Sequence, residues 1–327
     1  MLAMLPRLAS SRPVAYSRRR ADERPSPPWI DPASPSREKS VQPTEPLMMI
    51  GRPIRGMIGA AVLAIAAQPG ATPARADSPF PDKNLEAAVR AVLKHEPNVE
   101  LTDEKLRNVY ILEAPGKEIK DLTGLEKCKN LALLRLSKNQ VADLKAIQDL
   151  KNLESLDLAD NAIVDLAPLK ELKGLQYLEL SNNKIVDLAP LGGLTSLSAL
   201  YLGGNQVKDV GPLAPLVKLA SLSLGKNQIK DVSVLAKLEK LSTLDLRENQ
   251  IEDVAPLAKQ TEIKLLLIER NQIKDLAPLV EAAKADAAGP KLFAPYLRLY
   301  LDGNPLSESS RSAQLEALKA AGVRIEG

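Results

Sequence analysis

The chain of 327 residues has one cysteine, Cys128, and one histidine, His95. A single thiol excludes an internal disulfide framework and any multi-cysteine metal site, and a single imidazole excludes multi-histidine metal centres. It also leaves little room for a nucleophile–histidine–acid triad. Aromatic residues make up only 3% of the chain against 45% hydrophobic residues, so a core must be built from Leu, Ile, Val and Ala. No G-x-S-x-G, phosphate-binding loop or H-E-x-x-H motif occurs, so neither an enzyme nor a bound cofactor is expected.

An excess of basic charge is missing too, although the formal net charge is +3 and the pI near 8.7. Residues 1–47 hold 8 Lys and Arg against 5 acids, and residues 48–76 hold 3 against none. What remains, residues 77–327, carries 33 basic and 36 acidic groups. The body is slightly acidic, which argues against nucleic acid as the partner.

Residues 1–47 are rich in Pro, Ser and Arg and have no hydrophobic periodicity, the composition of a disordered leader or of a start assigned upstream of Met48 or Met49. Arg52 and Arg55 then precede the apolar run 57–67, a Q-P-G-A-T-P break and Ala74-Arg75-Ala76. That order predicts a secretory signal over 48–76, cleaved after Ala76, and an exported (periplasmic or secreted) product. The run is too short to span a membrane, which takes about 20 apolar residues. The alternative is a buried or membrane-leaning helix after a real disordered arm.

What the chain has in abundance is repetition. Asn139, Asn161, Asn183, Asn205, Asn227, Asn249 and Asn271 recur every 22 residues. Each is preceded by Leu or Ile at −8, −5 and −3 and followed by Ile or Val at +2. Alternation over −6 to −2 has the period of a strand, with −5 and −3 inward and −6, −4 and −2 outward. Stacked units then form a parallel sheet, and each Asn can satisfy turn backbone groups within and between coils. Nine strands are expected, beginning near Val109, Leu131, Leu153, Leu175, Leu197, Leu219, Leu241, Ile263 and Tyr296.

An aspartate follows at +4 in eight units, from Asp121 to Asp275. In Asp-Leu-Ala-Pro-Leu it is placed to cap a short convex-side turn, with Pro inside the first turn where its missing N–H is harmless. A calcium ladder would need six to eight oxygens per ion, and one acid per coil does not supply them. The period degrades at both ends. Lys117 stands where Asn is due, Cys128 fills a leucine slot, and Asn304 follows Asn271 by 33 residues, an insertion that lengthens the convex helix. A helical N-terminal cap is expected over 77–108, with one helix over 82–94 capped by Asp82 and another beginning at Thr102. The repeats occupy 109–306, and a C-terminal cap over 307–327 contains a helix from Ser312 to Ala321 stopped by Gly322.

The frame L-x-x-L-x-L-x-x-N-x-I-x-D-L-x-P-L resembles the bacterial internalin-type leucine-rich repeats over residues 79–306. It is similar also to the 22-residue repeats of the eukaryotic regulator of protein phosphatase 1. The resemblance implies an α/β leucine-rich-repeat solenoid with a curved parallel sheet on the concave side and short helical turns on the convex side. It also implies protein–protein recognition through the concave face. No immunoglobulin-like module or sortase motif follows the repeats, so host adhesion is not implied. The expected product is a free, monomeric recognition module for a protein or peptide. A cytoplasmic phosphatase-regulator-like scaffold and a purely structural envelope component are the alternatives.

The frame also names the outward residues. The candidates for partner binding are Arg135, Asp157, Tyr177, Glu179, Tyr201, Asp245, Arg247 and Tyr300. Asp157 and Glu179 are like charges on adjacent strands, an arrangement that costs stability unless solvated or neutralised by a partner's cation. Tyr177 and Tyr201 lie beside them, and aromatics anchor interfaces. The bland reading is a solvated sheet face with two incidental tyrosines.

Overall fold

A computed structural model describes residues 78–326; the leader, the signal-like run and the expected cleavage after Ala76 lie outside the described residues. Each repeat supplies one three-residue strand: β1 (Ile111–Glu113), β2 (Leu133–Arg135), β3 (Ser155–Asp157), β4 (Tyr177–Glu179), β5 (Ala199–Tyr201), β6 (Ser221–Ser223), β7 (Thr243–Asp245), β8 (Leu265–Leu267) and β9 (Arg298–Tyr300). With β10 (Arg324–Glu326) they pair in sequence order as one open parallel sheet. The register is the repeat itself, so Leu134, Leu156 and Leu178 stand side by side. The leucine at the centre of each strand from β2 to β8 is at most 1% exposed, and its two neighbours face outward.

The strands begin two residues later than the sequence frame suggests. The reason lies in the −8 leucine, whose N–H closes the preceding turn instead of joining the ladder. Leu153 donates to the Leu150 carbonyl and Leu175 to that of Leu172, both at 3.0 Å. The tenth strand was not expected. It carries no asparagine and follows Gly322, whose φ of 103° ends the last helix as anticipated, and it pairs with β9.

The aspartate column caps the convex side. In all eight units the Asp Oδ1 accepts from the N–H two residues on, at 2.7–3.1 Å. In the units where a 3-10 turn starts at +6, as at Ala167–Leu169, the acid stands one residue before the cap residue and sets the entry as an Asx turn. The asparagine column ties coils together. Asn183 Nδ2 donates to the carbonyls of Leu158 and Leu180 at 3.0 Å, and its Oδ1 accepts from Ile163 N–H of the preceding coil. Asn304 does the same for Ile273 across the insertion, so the extra residues are accommodated without interrupting the column.

Helix α1 (Lys83–Leu93) is capped by Asp82, whose Oδ1 takes the N–H groups of Asn84 and Leu85. Its Oδ2 takes those of Lys120 and Asp121, which fastens the cap to the first coil. Helix α2 (Asp103–Leu106) starts after Thr102 as expected. The insertion forms α3 (Ala277–Ala288), and the two oxygens of Asp286 gather the N–H groups of Leu292, Phe293 and Ala294 into a fixed return loop. A π-type turn (Ser310–Gln314) leads into α4 (Leu315–Ala320). No helix among the described residues is long and apolar enough to cross a membrane.

Candidate functional site: the concave sheet face

Three-residue strands leave the N–H at −2 outside the ladder, and acids at −4 satisfy it. Asp157 accepts from Ala159, Glu179 from Ser181 and Asp245 from Arg247, at 2.8–3.1 Å. The outward carboxylates therefore have a local backbone role, which leaves one oxygen of Glu179 for other contacts.

Five of the eight candidates come together on β2 to β5. Arg135 contacts Glu113 at 2.6 Å and Asp157 at 3.5 Å, forming a chain of charges across β1 to β3. Glu179 lies in register between Asp157 and Tyr201, and the Tyr177 and Tyr201 rings are tilted at 48° with centroids 5.5 Å apart. Burial raises the Glu179 carboxyl above the usual range against the Ser181 hydrogen bonds, and the neighbouring Asp157 and Asp160 push it further. Burial also raises the Tyr177 phenol, with the Glu179 charge adding to it. No cation of the described residues forms an ion pair with Glu179.

The other three candidates stand apart. Asp245 and Arg247 neutralise each other through two contacts of 3.0 Å, and the Ser223 hydroxyl donates to the same carboxylate at 3.2 Å. Tyr300, two strands further on, receives a 2.6 Å hydrogen bond from Arg298 and lies under its guanidinium. Glu269, an outward acid that is not among the eight candidates, differs from the other acids of the face. One of its carboxylate oxygens is buried with no hydrogen-bond partner, and burial raises its carboxyl despite Arg247 nearby. The acid occupied an ordinary outward slot in the frame, and nothing in the sequence marked its missing partner.

Two surface hollows lie beside the tyrosine patch and include neither Tyr177 nor Tyr201 in their lining. A groove of about 740 Å³ runs along the edge where the strands begin, lined by Tyr110, Asn130, Lys151 and Asn152, and holds none of the candidates. A hollow of about 270 Å³ lies on the concave side, lined by Ser181, Gly203, Gly225, Asp245 and Arg247 among others. Cys128 is fully buried, and burial pushes its thiol up to about 12, so it is a packing residue with negligible thiolate at neutral pH. Among the described residues, no group of three or more His, Cys, Asp or Glu could hold a metal ion.

A family model for leucine-rich repeats in two copies matches residues 129–171, 173–215 and 217–259. The solved structure of an internalin (inlF) from Listeria monocytogenes is 30% identical, with a TM-score of 0.62, covering 78% of this chain and 79% of that one. The chain is an internalin-type leucine-rich-repeat protein. Internalin C2 from the same species is also 30% identical, with a TM-score of 0.61, covering 70% of this chain and 97% of its own. No curated protein matches the sequence. The internalin-type fold is a scaffold for protein–protein interaction, since regular stacking leaves one continuous surface free.

Proposed function

We propose that this internalin-type protein is an exported, non-enzymatic recognition module that holds a protein or peptide segment against its concave sheet. Tyr177, Glu179 and Tyr201 form the anchor of that surface. The observation that carries this reading is the tilted tyrosine pair beside a largely buried carboxylate with no cation of its own. A partner's Lys or Arg would neutralise Glu179 and meet an aromatic face at the same place. The open sheet supports recognition over catalysis, because it offers no water-excluding pocket around Asp157 and Glu179.

Pull-down with the intact chain identifies the partner, and the triple variant Tyr177→Ala, Glu179→Ala, Tyr201→Ala tests the surface. The variant is expected to bind at least about tenfold more weakly, as the loss of hot-spot residues implies. Full retention of affinity would refute this surface. Export rests on the Arg52–Ala76 pattern. N-terminal sequencing of protein recovered outside the cytoplasm is expected to begin at Asp77, and an intact residue 1 there would overturn the cleavage.

A further inference from the structure

The charged residues on the outward positions of the described sheet are unequal in number and unequal in state. Of the outward cations, Arg135, Arg247 and Arg298 each already hold a carboxylate, Glu113 and Asp157, Asp245, and Glu326 respectively, and Arg324 stands at the far edge of the sheet on β10. Two half-buried acids are left without an ion pair, Glu179 on β4 and Glu269 just past β8. Glu179 is held only by the N–H and hydroxyl of Ser181. Glu269 has an oxygen that meets neither solvent nor a donor.

The surface between them is low. Between Glu179 and Glu269 lie Tyr201, in register with Glu179, and then a hollow of about 270 Å³ whose lining includes Gly203, Gly225 and the self-neutralised Asp245–Arg247 pair. At Gly225 a Cβ would lie 3.0 Å from the Asp245 carboxylate, so a larger residue fits only if that side chain gives way. The hollow is the place where a partner's backbone has room between the two acids.

We propose that Glu179 and Glu269 form a two-point clamp for an extended segment that crosses the strands and carries two basic side chains. This rests on the concave-face reading above and adds the partner's charge pattern and spacing. Four strand steps at about 4.8 Å, with a lateral offset of two residues, separate the acids by roughly 20 Å. An extended chain rising about 3.3 Å per residue covers that in about six residues. An even separation places both side chains on the same face of the segment.

The test uses the full chain and synthetic peptides of Ser and Thr bearing two arginines at i and i+6, at i and i+2, or none, titrated calorimetrically at low salt. The i+6 peptide is expected to bind at least about tenfold more tightly than the i+2 peptide. Glu179→Gln and Glu269→Gln are each expected to abolish that preference, and both keep the side-chain shape so that folding is unaffected. Loss of binding through Glu179→Gln alone, with spacing immaterial, would overturn the clamp and leave the tyrosine–glutamate anchor standing. Binding indifferent to both glutamine variants and to the triple alanine variant would overturn the clamp and the concave surface together. No binding of the i+6 peptide above the arginine-free control would overturn the clamp.

Discussion

Asn205→Ala is expected to destabilise the solenoid by about 3 kcal/mol, read as a lower urea midpoint at unchanged slope. The size follows from which groups lose their only partner. Asn205 Nδ2 donates to the carbonyls of Leu180 and Leu202, at 3.0 and 2.9 Å. Those carbonyls also receive the amides of Asn183 and Asn227, so each keeps a donor in the variant. The N–H of Ile185, however, is held by Asn205 Oδ1 at 3.0 Å, inside a residue with no exposed surface. Orphaning that donor costs about 1–3 kcal/mol, and the space left by the amide in a close-packed turn adds to it. Asn205→Asp keeps the acceptor but sets a carboxylate against two carbonyl oxygens, so it is expected to be no better. Gln206→Ala, an exposed neighbour, should fall within about 0.5 kcal/mol of the parent. Equal midpoints for the Asn205 and Gln206 variants would mean that the asparagine column does not hold the coils together.

That column was legible from sequence because it is a matter of spacing, and so was most of the fold. A residue that performs one physical task once per coil leaves a period, and the Asp caps, the inward leucines and the strand register all do so. Features that occur once were harder to read. β10 belongs to no repeat, and Gln260 fills a leucine slot where its Nε2 reaches the Leu235 carbonyl while its Oε1 is buried without a partner. The Arg–acid pairing across β1 to β3 and the isolation of Glu269 depend on how side chains settle between neighbouring strands. Sequence order gives the neighbours but not the pairings. The outward positions of the candidate site could thus be named, while the division between self-neutralised and uncompensated charges could not.

The N-terminal cap depends on one such unrepeated feature, and Arg90→Met is expected to cost about 3–4 kcal/mol, as removal of one member of a buried pair does. Arg90 contacts Glu86 at 2.8 Å, with side chains only 10% and 3% exposed. Its Nη1 also donates to the carbonyls of Glu96 at 3.0 Å and Val99 at 2.6 Å, strapping the loop after α1 to the helix. In the variant, Glu86 keeps Lys83 at 3.0 Å, but that lysine is 60% exposed and is a weaker partner for a buried charge. A second variant, Glu86→Leu with Arg90→Met, is expected to recover part of the loss by removing the stranded carboxylate. The Val99 carbonyl loses its Arg90 donor in both, while that of Glu96 keeps the Val99 N–H at 3.1 Å, so recovery should be incomplete. Acid should narrow the gap between parent and single variant. Burial raises the Glu86 carboxyl, but Lys83, Arg90 and Ser78 outweigh it, so its folded value lies below the usual 4.5. The pair's contribution is therefore present above about pH 4.5 and lost as pH falls through the lowered folded value. Because α1 packs against β1, whose central Leu112 is fully buried, weakening it should also produce light scattering at a lower temperature than in the parent. A single variant as stable as the parent at pH 7 would show that the cap is held by its apolar face alone.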